Sequence, residues 1–117
     1  MSLNESEPAV EHVVLLKVKA EATEDDIEKL MNGAKSLHAI PGVLTVSVGK
    51  VFVEDFMEDR TQGHNYVLAV RLSSKDALKS YKDHPDHLKV IKECLAPILS
   101  APPLAVDWVS PQIFGKK

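Results

Sequence analysis

Residues His12-Val13-Val14-Leu15-Leu16-Lys17-Val18-Lys19 constrain the fold more than any other stretch, because they read as a β-strand with apolar residues on both faces. One face would carry His12, Val14, Leu16 and Val18, the other Val13, Leu15, Lys17 and Lys19. Such a strand needs cover on two sides. The chain supplies the first cover at once. Thr23 offers a helix N-cap with Asp26 three residues on, and Ile27, Leu30, Met31, Ala34, Leu37 and His38 follow at helical spacing until Pro41-Gly42.

The remaining chain repeats the alternation. Val43 to Val53 predicts a second strand with Gly49 as a bulge or close-approach point, Glu54 to Gln62 a charged loop, and His64 to Leu72 a third strand. In the third strand Tyr66, Leu68, Val70 and Leu72 share one face, and Val67, Ala69 and Arg71 the other. Ser73 or Ser74 can cap a short helix that runs to Lys82. Pro85 opens a second helix, whose apolar face would be Leu88, Ile91, Leu95, Ile98 and Leu99. Pro102-Pro103 ends it, and Leu104 to Val109, with Trp108, forms the last strand. The order βαββαβ specifies an α+β, ferredoxin-like plait: a four-stranded antiparallel sheet with helices on one face. The other face keeps Val13, Leu15, Val67 and Ala69, too apolar a surface to stay wet. Packing two such sheets together buries both, so a homodimer through the open sheet faces, a dimeric α/β barrel, is expected.

Composition narrows the function. A chain of 117 residues makes one domain, expected over 11–110, with flexible tails at 1–10 and 111–117. The net charge of −3 and the interleaving of lysines with acids argue against a nucleic-acid partner. The open face of the third strand also lacks the aromatics on which an RNA-recognition module stacks bases. No run reaches membrane-spanning length, so no membrane partner is expected. The single cysteine, Cys94, sits in an apolar helical run and fits a buried thiol in a reducing compartment; a cytoplasmic location is expected. In the C-terminal tail Ile113 and Phe114 are candidates for clamping a partner subunit.

Chemistry concentrates in Tyr81-Lys82-Asp83-His84-Pro85-Asp86-His87, which holds two of five histidines and one of two tyrosines. An imidazole that titrates near neutrality beside a phenol is an acid–base couple. The competing reading is a helix entrance, with Tyr81 packed at a helix end and His87 in a local hydrogen bond. His84 and His87 lie three apart, but no third and fourth ligand accompanies them, so no metal site is expected.

The strand His12–Lys19, the turn Ile40-Pro41, Gly49-Lys50 and the motif Tyr81-x-x-His84-Pro85-x-His87 together resemble the stress-responsive A/B-barrel family of plants. The resemblance runs from His12 to Trp108 and implies a homodimer with its sheets face to face and its helices outside. Members include heat-stable stress proteins and olivetolic acid cyclase, a polyketide cyclase. By motif position the catalytic tyrosine and histidine of that cyclase would be Tyr81 and His87, with His12 as a further pocket residue. Tyr66, His84 and Leu16 would then stand beside a small apolar ligand between sheet and helices. The implied chemistry is an intramolecular aldol condensation of a poly-β-keto chain, which needs no metal or organic cofactor. This chain has Tyr66 where the cyclase has a histidine, and Val48 and Gly33 where it has aromatics, so the pocket lining differs. The expectation is a stress-associated homodimer without established catalysis; the alternative is a cyclase-like enzyme. Cofactor-free monooxygenases share the barrel and are the nearest enzymatic competitor; oxygen consumption would separate the two.

Overall fold

A computed structural model describes residues 8–110. Four strands, β1 (Ala9–Leu16), β2 (Val43–Lys50), β3 (Tyr66–Leu72) and β4 (Leu104–Ser110), pair antiparallel in the order β2-β3-β1-β4. Three helices, α1 (Glu24–Ser36), α2 (Lys75–Asp83) and α3 (Pro85–Val90), complete the βαββαβ order of the ferredoxin-like plait. Ile113 and Phe114 lie outside the described residues.

Local chemistry accounts for the element ends. Thr23 Oγ1 accepts the Asp26 N–H at 3.1 Å while Asp26 Oδ2 accepts the Thr23 N–H at 2.9 Å, so α1 starts on a complete capping box. Leu30, Ala34 and Leu37 are buried, but His38 turns outward in the short 3₁₀ turn that follows the helix. Gly42 ends the turn at φ +91°, where a Cβ would stand 2.7 Å from the Ala77 Cβ; both the backbone angle and the space demand glycine. Ser74 caps α2 by accepting the Ala77 N–H at 3.0 Å.

Strand β1 departs from its expected bounds. Ala9 and Val10 are buried sheet residues, not part of the N-terminal tail, and Val10 pairs with both Leu72 and Val109. The regular ladder stops at Leu16 because Asn65 intervenes. Its Oδ1 accepts the Val18 N–H at 2.7 Å and its Nδ2 donates to the Val18 carbonyl at 2.8 Å, so one side chain replaces a neighbouring strand. Asn65→Ala is expected to lower unfolding stability by about 2 kcal/mol in urea denaturation, since two partly buried backbone groups lose their partners. A loss within measurement error would show that water replaces the amide without cost.

Two further expectations are corrected. Strand β2 ends at Lys50, and Gly49 pairs in regular register with Val67, with open space where its Cβ would be; the irregularity lies between Val43 and Thr45. The apolar face expected after Pro85 holds only in part. Val90, Leu95 and Ile98 are buried, whereas Leu88 is 52% and Ile91 38% exposed. The cause is a π-helical turn over Ile91–Leu95, followed by a 3₁₀ turn over Ala96–Ile98. One extra residue in a turn shifts the helical phase by about 100°.

Val14, Leu16, Leu68, Val70 and Leu72 face the helices and form the core with Leu30, Leu37 and Tyr81. The opposite sheet face carries Val13, Leu15, Val67 and Ala69, as read from the strand parity, joined in register by Leu104, Val106 and Trp108 of β4. These three β4 residues are about half exposed, and the face is uncovered in a single chain.

Candidate functional site

The site begins with a cross-strand pair. His12 on β1 lies opposite Asp107 on β4, on the helix-facing side, and His12 Nδ1 is 2.5 Å from Asp107 Oδ1. A carboxylate only accepts, so neutral His12 carries its proton on Nδ1 and keeps its lone pair on Nε2. Asp107 thus fixes the tautomer and the ring orientation of a 5% exposed histidine.

Tyr81 comes from the last turn of α2 and is fully buried. Its ring meets His12 edge-on at 5.9 Å between centroids. Its hydroxyl has no hydrogen-bond partner among the described residues, and burial pushes the phenol up to about 12. His87 is brought to the other side of Tyr81 by the turn between α2 and α3. His84 leaves the helical conformation, ends α2, and caps α3 by accepting the Asp86 N–H on Nδ1 at 3.1 Å, with Pro85 in the first turn. The His87 ring then lies 4.3 Å from that of Tyr81, centroid to centroid. His87 Nδ1 donates to the Lys82 carbonyl at 3.1 Å, because a carbonyl cannot donate, and Nε2 has no protein partner among the described residues. Burial pushes His87 below the ordinary histidine value of 6.5, so its neutral form dominates at pH 7.

A cavity of about 650 Å³ opens between sheet and helices on these groups. Its walls are mainly apolar, with Val14, Leu68, Ile91, Leu95, Leu99 and Ala105 beside His12, Tyr81 and His87. The three residues expected to carry chemistry are therefore brought together. Tyr66, Leu16 and His84, expected to contact a ligand, do not line it. Leu16 and Tyr66 form a cross-strand pair one pleat beyond Val14 and Leu68, where the core fills the space; His84 is spent on capping α3. Gly33 and Val48 also lie off the wall, and a Cβ on Gly33 would meet the Cys94 Sγ at 2.7 Å.

Asp107 is the group that reasoning from the sequence missed. Its signal is an acid inside the apolar run Leu104–Val109, two residues from an edge of that run. That signal becomes readable only with the β1–β4 register.

The sheet order and the helices on one side define the ferredoxin-like α+β class, here with an apolar sheet face uncovered in the single chain. Residues 10–110 match the family model of the stress responsive A/B barrel domain, and the chain belongs to that family. It is 34% identical over 106 residues to a stress-response A/B barrel domain-containing protein of Arabidopsis thaliana, covering 91% of this chain but only 38% of that relative. The chain thus spans about two fifths of that curated relative's length. Among solved structures, a dimeric ferredoxin-like protein of unknown function from Thermobifida fusca superposes with a TM-score of 0.72 at 22% identity, covering 92% of this chain and 95% of the other. The hydroxynitrile lyase of Passiflora edulis gives 0.76 at 18% identity, over 92% and 97%. At those identities the likeness shows the fold alone. Among the described residues no helix is long and apolar enough to cross a membrane.

Proposed function

We propose that the chain works as a homodimer whose cavity binds a small, mainly apolar carbonyl compound and moves protons on it. The observation that carries this reading is the convergence of two imidazoles with assigned tautomers and a buried phenol on one apolar cavity. The reaction that fits these groups is an intramolecular aldol condensation of a poly-β-keto chain. His87 Nε2 takes a proton from the carbon between two carbonyls, and the carbanion attacks a second carbonyl of the same chain. The new alkoxide is protonated by the His87 imidazolium, which restores the base. Tyr81 donates a hydrogen bond to the oxygen on which charge develops, once the side chains over its hydroxyl give way. His12, held by Asp107, lines the cavity beside them.

Sheet-to-sheet dimerisation is supported by the uncovered apolar face and by the dimeric solved relative. A role in stress is supported by the family, and Cys94, a free thiol, fits a reducing, cytoplasmic setting.

The test is turnover of a poly-β-keto acid against pH, with His87→Ala as control. The active base is neutral, and burial lowers the proton affinity of His87, so activity is expected to persist as pH falls to 6.5 and to be lost below it. His87→Ala is expected to lose roughly 10²–10⁴-fold in rate. A second reading, binding without turnover, is favoured by one feature: the Tyr81 hydroxyl is sealed from water by the side chains around it. Saturable binding with no turnover at any pH from 5 to 9 selects it.

A further inference from the structure

Among the described residues the cavity wall holds one permanent cation. Lys82 lines it, while no Asp or Glu does among the described residues. Lys82 follows Tyr81 in the last turn of α2, and its own carbonyl accepts the His87 Nδ1 proton. Its ammonium has no ion-pair partner among the described residues. Desolvation lowers the proton affinity of His87, and the charge of Lys82 acts in the same direction. Lys82 is exposed, so it stands where the apolar cavity meets water. A lysine there keeps most of its hydration and still attracts an anion that arrives with an apolar tail.

We infer that the cavity takes ligands with an apolar body and a single carboxylate, which Lys82 holds at the mouth while the body extends toward His12 and His87. This rests on the reading of the cavity as a small-molecule site and adds the ligand class. A carboxylate suits the site better than a phosphate. One ammonium balances one negative charge, and among the described residues no second lysine or arginine lines the cavity for a dianion. The arrangement also sets register: an acid anchored at Lys82 presents the carbons along its chain to the two imidazoles, so Lys82 would select which carbon loses its proton.

Two probes of equal chain length test it: octanoate and 1-octanol, titrated into the full chain and into Lys82→Met, with the His12 and His87 ring resonances followed by NMR. Methionine keeps an unbranched apolar stem, and the carbonyl that holds His87 belongs to the backbone, so the rest of the cavity is preserved. Octanoate is expected to bind roughly five- to tenfold more tightly than 1-octanol, the scale of one charge-assisted contact at a wet site. That preference should vanish in Lys82→Met, where 1-octanol binds as before, and shrink as salt is raised. Equal binding of the two probes, or a preference that survives Lys82→Met, overturns the carboxylate assignment alone. If neither probe moves either ring resonance, the small-molecule reading of the cavity falls with it.

Discussion

In the sheet-to-sheet dimer proposed above, Val106→Asp should turn the dimer into a monomer without unfolding the chain. Val106 lies on the open sheet face, half exposed in the single chain, next to Val13 on β1 and between Leu104 and Trp108 on its own strand side. A carboxylate there meets water in the monomer but an apolar partner surface in a face-to-face dimer. A two-fold interface receives the change from both copies, and each buried, unpaired charge costs several kcal/mol. The expected weakening is at least ~4 kcal/mol, about a thousandfold in dissociation constant. Sedimentation velocity at micromolar concentration measures it, with circular dichroism to check the fold. A dimer that persists in Val106→Asp would place the interface elsewhere and leave the apolar face without an occupant.

Tyr81→Phe should divide stability from activity. The Tyr81 hydroxyl is buried and unpartnered, so removing it takes away an unsatisfied donor while the ring keeps its packing. Urea denaturation is expected to show a gain of up to about 1 kcal/mol, or no change. Cyclisation is expected to fall by roughly a hundredfold, because the hydrogen bond to the developing oxyanion is lost. The opposite pattern, a clear loss of stability, would mean that the hydroxyl has a structural partner and that Tyr81 is a core anchor only. Two properties moving apart in one conservative variant mark strain kept for function.

Much of this arrangement could be read along the chain, and the reasons differ by residue. Strand parity placed His12, Val14 and Leu16 toward the helices and Val13 and Leu15 away from them, because side chains on a regular strand alternate between its two faces. The Thr23–Asp26 box and Pro85 marked helix starts because capping is local chemistry. The convergence of Tyr81 and His87 was not fixed by the sequence pattern, because it turns on the backbone geometry at His84-Pro85. A buried Tyr81 at the end of α2 and a local hydrogen bond for His87 were the legible part. Distant pairings were not legible. Asp107 meets His12 across 95 residues, and nothing short of the register reveals it. Asn65 clasping Val18 is hidden likewise. Parity names the face of Leu16 and Tyr66 but not how far along that face the core is filled.

The π-helical turn at Ile91–Leu95 has a consequence for how the cavity changes over time. Ile91 and Leu95, its two ends, both stand on the cavity wall. Deleting one residue between them would restore an ordinary helical pitch and turn the side chains that follow, up to the 3₁₀ turn at Ala96, by about 100°. The lining would then change at several positions in one genetic event, while the sheet below, with His12 and Asp107, stayed as it is. A single codon gained or lost there would reshape the cavity wall in one step.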